Sequence, residues 1–257
     1  MSLRLLFTAT LRRVTGKSSE KKAQMTLDTT DQIDIAAECL GVKIPMSDFL
    51  NDTRIARLNE ARYEGQEIAG ALHVVTSDDT VLEIGAGIGV VGAVIAVNAG
   101  PKAVHSFEAN PNLIPTIQAL YDLNGISERI TVQNKVLFAG DDRPETLPFY
   151  VHNSYLGSSL DGDPDRAKQK VDVTTADFAQ TCAQISPTVL IMDIEGGELA
   201  LLRQADLSPF RAIVLEFHPG AYGKEGVAEC KQILKSAGFA KVDEKSTRFV
   251  WTCLRQD

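Results

Sequence analysis

The 257-residue chain contains no apolar run near the ~20 residues that a bilayer-spanning helix needs, which excludes a membrane-embedded protein. Its four cysteines, Cys39, Cys182, Cys230 and Cys253, lie too far apart in sequence for a metal clamp or a redox pair, so they read as buried small hydrophobes of a reducing compartment. The histidines offer no i, i+4 frame, no C-x-x-C accompanies them, and the expectation for metal ligands is none. No internal repeat and no low-complexity tract is present. Basic charge is scarce beyond residue 25. Residues 1–25 hold Arg4, Arg12, Arg13, Lys17, Lys21 and Lys22 against Glu20 alone, whereas the remainder holds 20 basic and 33 acidic residues. A body carrying −13 repels a phosphate backbone, and nucleic acid is excluded as its expected partner. The basic head lacks the apolar core and cleavage site of a secretory signal. It is expected to be a flexible tail over residues 1–27, with an organellar transit segment at 1–25 as the alternative to a plain cytoplasmic protein.

What is present is an ordinary globular composition, 44% hydrophobic and 23% charged. From Thr30 to Val75 the apolar positions Ile33, Ala36, Ala37, Leu40 and then Ile55, Leu58, Ile68, Leu72 fall at helical spacing, so residues 28–75 are expected to form an N-terminal helical layer. From residue 76 to 257 apolar runs alternate with helical stretches. Strands are expected at 81–84, 103–107, 130–133, 189–192 and 212–216, and helices at 90–99, 111–123, 198–204 and 227–237. Gly100-Pro101 punctuates the first helix, and Asn110-Pro111 is expected to open the second. Such alternation makes a parallel sheet covered on both faces. Two departures stand out. Phe149-Tyr150-Val151 and Val171-Asp172-Val173 read as an inserted β-hairpin around the turn-rich Asp161-Gly162-Asp163-Pro164-Asp165. At the end, strands at 240–244 and 248–254 have too short a connection to be parallel.

The strongest local signal is Val81-Leu82-Glu83-Ile84-Gly85-Ala86-Gly87-Ile88-Gly89, a buried strand running through alternating glycines into a helix. Glycine there permits a tight turn and close approach of a ligand, and the helix N-terminus beyond favours negative charge. Glu108 ends the next strand, where a carboxylate can take both ribose hydroxyls. A dinucleotide frame beginning at Gly85 fails, because its third glycine position is Val90. The frame that fits the strand end is E-x-G-x-G-x-G, which suits a nucleoside bearing an amino acid. An NAD(P) site and a bare turn remain as alternatives.

Glu83-Ile84-Gly85-Ala86-Gly87-Ile88-Gly89 resembles the first motif of class I S-adenosylmethionine-dependent methyltransferases, and Ser106-Phe107-Glu108-Ala109-Asn110-Pro111 their second. Ile191-Met192-Asp193-Ile194-Glu195-Gly196-Gly197-Glu198 is similar to the D-x-E-G-x-E block of the FkbM type, and residues 171–177 and 215–219 fit as well. The resemblance implies an α/β fold with a doubly wound, seven-stranded, mostly parallel Rossmann-like sheet. It implies S-adenosyl-L-methionine as cofactor, held by Glu83, Gly85, Gly87, Gly89, Glu108 and, at the adenine end, Asn134. It further implies methyl transfer to an oxygen of a small hydroxylated acceptor such as a sugar or secondary metabolite. A nicotinamide-dependent oxidoreductase and a non-catalytic nucleoside-binding module are the competing readings. The [DN]-P-P-[YF] block of amino-methylating nucleic-acid enzymes is absent.

Asp193 and Glu195 follow one parallel strand, Glu216 and His218 another, and in open α/β sheets the crevice lies at the carboxyl ends of the strands. The four side chains are therefore expected to share a cleft. Asp193 is the first candidate for base or acceptor-positioning group, His218 the second, with Glu195 beside them. Glu198 reads equally well as an acid at a helix N-terminus. Tyr63-Glu64 with Glu67 reads as a solvated helix face, the alternative being the wall of the methionine end of the pocket.

Overall fold

A computed structural model describes residues 34–151 and 168–256. The basic segment 1–27, His152 and the turn at 161–165 lie outside the described residues. The first described elements correct the expected helical layer: β1 (Ile35–Cys39) and β2 (Val42–Pro45) pair antiparallel, with Cys39 opposite Val42. Leu40 and Gly41 have φ of 48° and 82°, the two left-handed residues of a tight hairpin turn. Ala37, Cys39, Val42 and Ile44 are buried, a period of two that the helical spacing of Ala37 and Leu40 had obscured. Leu40, assigned to a helix core by its spacing, is 43% exposed. Asn124 holds the hairpin by accepting from Lys43 N at 2.8 Å and donating to Lys43 O at 2.7 Å. Helices do follow, α1 (Asp52–Asn59) and α2 (Gly65–Val74).

The alternating core then runs β3 (Thr80–Ile84), α3 (Val90–Asn98), β4 (Ala103–Phe107), α4 (Ile114–Leu123) and β5 (Ile130–Gln133). An inserted segment, β6 (Val136–Phe138), β7 (Thr146–Val151) and β8 (Gln169–Asp177), follows. The core resumes with α5 (Phe178–Ile185), β9 (Val189–Met192), α6 (Glu198–Leu202), β10 (Ala212–Glu216), α7 (Pro219–Ser236), β11 (Phe239–Lys241) and β12 (Val250–Arg255). Seven of these strands form one sheet in the order β11-β12-β10-β9-β3-β4-β5. All neighbours among β10, β9, β3, β4 and β5 are parallel, while β12 runs antiparallel to both β10 and β11. This is the doubly wound sheet expected from the sequence. The antiparallel end is the feature that a nicotinamide-dependent dehydrogenase fold does not call for. Alternate residues of each inner strand feed opposite cores: Val81, Val104, Val189 and Val214 face α2, α3 and α4, and Leu82, Leu190, Ile213 and Leu215 face α5, α6 and α7.

Three boundaries shift for local reasons. Asn110 does not cap α4. Its carboxamide oxygen accepts from Asn112 N at 3.1 Å, forming a turn, and the helix starts at Ile114 with Pro115 in its first turn. α7 begins earlier than its apolar period suggests but breaks at Tyr222 and Gly223, the latter with φ 70°. The last pair is shorter than expected, because residues Asp243–Lys245 close a 3₁₀ turn between its strands. The hairpin expected at 149–151 and 171–173 is present, with Phe149 opposite Val171. β6 adds to β8 in parallel, so the insertion is a separate three-stranded sheet. All four cysteines are buried and unpaired. Among the described residues no helix is long and apolar enough to cross a membrane.

The amino ends of the central strands are fastened by Asp79. Its side chain, 3% exposed, accepts from Arg211 Nε at 2.8 Å, Thr188 Oγ1 at 2.7 Å and Thr76 N at 2.7 Å, and Arg211 also donates to Val74 O at 2.6 Å. One carboxylate thus ties the lead-ins of β3, β9 and β10. Burial opposes its charge, but the bonds from Arg211, Thr188 and Thr76 outweigh burial and hold its pKa down to about 2, from an ordinary 3.8. A folded value below the unfolded one adds stability that is complete above pH 3.8 and disappears as pH falls through about 2. Asp79→Asn is expected to lower the unfolding free energy by about 1.5–3 kcal/mol near neutrality, the worth of a charged hydrogen bond. Urea titrations should show the gap to the parent closing on acidification toward pH 2; a gap independent of pH would show that the charge is not what stabilises.

Candidate functional site

The site forms where the sheet order reverses between β3 and β9. Ile84 leads into Gly85, Gly87 and Gly89, whose φ values of 87°, 55° and 84° only glycine adopts without strain. At Gly85 a second constraint acts. A Cβ there would stand 1.6 Å from the Asp193 carbonyl oxygen, because the loop lies directly on the end of β9. The same approach is sealed by Asp193 N donating to Ile84 O at 3.0 Å. Gly92, one turn into α3, is also required, since a Cβ would meet Glu83 Oε2 at 2.4 Å.

Glu83 is buried inside β3 and accepts from Ser106 Oγ and the Gly92 amide, yet its Oε1 has no hydrogen-bond partner. Burial pushes its pKa up to about 7, against those bonds. Glu108 at the end of β4 accepts from Gly87 N at 2.8 Å and Asn110 N at 2.7 Å, so the carboxylate expected to take ribose also pins the glycine loop. Its pKa is likewise raised to about 7 by burial. Asn134 directly follows β5. Its amide donates to the carbonyls of Glu108 and Ala109 at 2.8 and 2.9 Å, and it does not line the cleft; Lys135 and Val136 do. The Asn134 amide nitrogen thus joins the turns after β4 and β5.

Asp193, Glu195 and His218 lie together, and Glu216 has an oxygen within 4.8 Å of one of Asp193. His218 Nε2 lies 3.5 Å from Asp193 Oδ1 and 3.4 Å from Glu195 Oε2, while Nδ1 lies 2.9 Å from Glu198 Oε1. Glu198 is wholly buried and accepts from Ile194 N at 3.1 Å and Gly196 N at 3.3 Å, so it folds the Asp193–Gly197 turn as well as orienting the imidazole. Glu195 takes φ 53°, a left-handed conformation that this turn imposes. Burial disfavours a charged His218, but the Glu198 hydrogen bond and the charges of Glu198, Asp193 and Glu195 prevail and raise its pKa to about 9. Burial, with Glu216 adding repulsion, drives the Asp193 carboxyl well above its usual range, and burial brings Glu195 to about 7. The shifts favour the protonated imidazole and the neutral Asp193 carboxyl, and they leave Glu195, at about 7, as the group poised to exchange a proton near neutrality.

The reading of Glu64 and Glu67 as a solvated face is corrected. Gly70 lets α2 rest on the sheet, where a Cβ would meet Thr252 Oγ1 at 2.2 Å, and one turn earlier Glu67 is only 4% exposed. Oxygens of Glu64, Glu67, Asp193 and Glu216 lie within 4.8 Å of one another. The spacing of Glu67 three residues before Gly70 was the available signal. Glu64, Glu67, Asp193, the glycine loop and Glu108 wall one cleft of about 230 Å³, covered on its far side by Leu137, Leu147 and Phe149 of the inserted sheet, with Glu216 behind Glu67 and Asp193.

With this geometry in hand, comparison with known proteins is decisive at the family level: the profile of the methyltransferase FkbM domain matches residues 83–241. The chain belongs to that family. Its matched span begins at Glu83 and includes Glu108, Asp193, Glu195, Glu198, Glu216 and His218, while Tyr63, Glu64 and Glu67 of the cleft lie before it. A tRNA wybutosine-synthesizing protein 2 homolog from Danio rerio is 27% identical over 164 residues, which are 48% of this chain and 40% of that protein. The chain thus matches well under half of that relative's length. Among solved structures, a ribosomal protein L11 methylase from Lactobacillus delbrueckii subsp. bulgaricus is similar at 15% identity and TM-score 0.44, covering 77% of this chain and 80% of that one. A precorrin-6y C5,15-methyltransferase from Geobacter metallireducens is similar at 14% identity and TM-score 0.42, covering 75% and 88%. The FkbM domain is a methyltransferase, and S-adenosylmethionine is its methyl donor.

Gly85→Ala tests the contact on which the cleft rests. The left-handed φ alone costs about 1–2 kcal/mol for an L-residue, and the clash with a backbone carbonyl cannot be relieved by a rotamer change. Thermal unfolding should shift down and calorimetric cofactor binding should be lost. An unaltered protein would mean that the loop and β9 are not in contact.

Proposed function

We propose that this protein transfers the methyl group of S-adenosylmethionine to a hydroxyl oxygen of a small polyhydroxylated acceptor. The observation that carries this reading is the shared cleft, with a nucleoside-sized glycine cradle and Glu108 on one side and carboxylates of raised pKa on the other. The residues fit the cofactor. Gly85, Gly87 and Gly89 leave the loop free of side chains, Glu108 faces the ribose position, and the partnerless Glu83 Oε1 is a buried acceptor suited to an ammonium group. When bound, the sulfonium supplies an electrophilic methyl carbon whose bond to sulfur breaks, the electron pair staying on sulfur as a thioether. The chain's own groups do the rest. Asp193 accepts the hydroxyl proton or positions the hydroxyl, and Glu195, at about 7, is the adjoining carboxylate to which a proton can pass. His218 keeps both acids oriented and compensates their charge. Leu137, Leu147 and Phe149 exclude water and hold the acceptor in line, which provides much of the rate in such a transfer.

A tRNA acceptor is the reading that the wybutosine-protein relative raises. The net −13 beyond residue 25 and the carboxylates at the cleft oppose a polyphosphate substrate, and they favour a small neutral or cationic acceptor. The discriminating experiment monitors S-adenosylhomocysteine release across sugars, hydroxylated metabolites, amines and a tRNA transcript. Turnover on the transcript alone would replace the small-acceptor reading.

Two substitutions separate binding from chemistry. Glu108→Ala should weaken cofactor binding by roughly 10- to 150-fold, equivalent to about 1.5–3 kcal/mol for a lost charged hydrogen bond. Asp193→Asn preserves shape and should lower turnover at least about 10²-fold while leaving cofactor affinity nearly unchanged. If Asp193→Asn instead abolishes cofactor binding, Asp193 belongs to the donor side.

A further inference from the structure

We propose that Glu64, Glu67, Asp193 and Glu216 form a binding site for a hard divalent cation at the acceptor side of the cleft. The four come from the start of α2 and from the ends of β9 and β10, and one oxygen of each lies within 4.8 Å of the other three. Oxygens on opposite sides of a Ca²⁺ ion, with bonds of about 2.3–2.6 Å, stand at most about 5 Å apart, so the spacing suits Ca²⁺ and needs slight contraction for the smaller Mn²⁺ and Mg²⁺. An independent observation marks the place as more than a cluster of acids. Glu67 is 96% buried, and its Oε1 has no hydrogen-bond partner in the structure. A buried carboxylate oxygen with no donor is costly unless something positive completes it.

The surrounding charge gives the same answer. Facing these four are Glu195 and Glu198 from the β9–α6 turn, Arg57 from α1 and His218 from the turn after β10. His218 is engaged with Glu198 at 2.9 Å, and Arg57 acts chiefly on Glu64. Among the described residues no basic side chain forms a hydrogen bond or ion pair with Glu67 or Glu216, so six carboxyl groups are left with two neighbouring cationic side chains. A divalent ion removes that imbalance. Four protein oxygens fill part of the six to eight positions such ions take, which leaves room for water or an acceptor oxygen on the cleft side. Binding of the ion stands independently of the proposed methyl transfer; only its use, to hold and acidify an acceptor hydroxyl, rests on that reading. In that use Asp193 positions the acceptor through the ion, and the hydroxyl proton goes to Glu195.

The test needs neither cofactor nor acceptor. Mn²⁺ is titrated into the purified full chain, and free ion is read by electron paramagnetic resonance, with Mg²⁺ and Ca²⁺ as competitors. The expected result is one ion per chain, bound more tightly than about 1 mM, the weak end for oxygen-ligand sites. Glu67→Gln with Glu216→Gln should reduce affinity at least tenfold, and circular dichroism should confirm that this pair of variants is folded. Failure of all three ions to bind overturns the proposal and leaves the methyl-donor site untouched. Undiminished binding in the folded double variant places the ion elsewhere and also overturns it. Displacement of Mn²⁺ by S-adenosylmethionine would assign the carboxylates to the ammonium group of the cofactor instead.

Discussion

Gly85 rests on the carbonyl of Asp193, at a point where even a methyl group would be 1.6 Å from the oxygen. This contact joins two functions that the chain encodes more than a hundred residues apart. On one side the loop turns into α3 with its amides free to approach a nucleoside. On the other, Asp193 begins the turn that carries Glu195 and Glu198. The contact exists because β3 and β9 are neighbours at the reversal of strand order, which is the place an open α/β sheet leaves a crevice. The donor cradle and the acidic wall are therefore held at a separation set by backbone rather than by side-chain rotamers.

The acidic wall is a second constraint built on the first. Carboxylates brought out of water repel one another and favour the neutral form, which is why Asp193, Glu195 and Glu67 all lie above their ordinary range. His218 answers part of that charge. It is itself fixed by Glu198, a fully buried acid that also bonds the Ile194 and Gly196 amides. One carboxylate thus shapes the turn, aims the imidazole and keeps it protonated. The opposite end of the central strands shows the contrasting solution, where Asp79 is buried with Arg211 and Thr188 as donors and its pKa falls. The acid at the structural end is satisfied, and the acids at the functional end are left partly unsatisfied.

Much of this was legible from residue order alone. Continuous apolar runs at residues 189–192 and 212–215 read as strands buried on both faces, and the sheet's five parallel strands fall where those runs and their neighbours predict. Short connection length dictated that β11 and β12 be antiparallel. Helical spacing misled over residues 35–45, since Ala37 and Leu40 satisfy a period of 3.6 while Ala37, Cys39, Val42 and Ile44 satisfy a period of two, and only packing against Asn124 and α4 selects between them. The backbone role of Asn134 was not legible either: its amide nitrogen donates to the carbonyls of Glu108 and Ala109, which only the folded turns bring within reach.

The sequence by itself determined the strands of the seven-stranded sheet, their alternation with helices, the glycine loop and the acids at the ends of β4, β9 and β10. Those are local properties, written in periodicity and in the conformational freedom of glycine. The tertiary structure alone decided that Glu64 and Glu67 join Asp193 and Glu216, that Glu198 is buried against His218, and that the inserted sheet roofs the cleft. No spacing along the chain encodes these neighbours, because they depend on how closely α2 can approach β10 and β12. That distance is set by the missing side chain of Gly70.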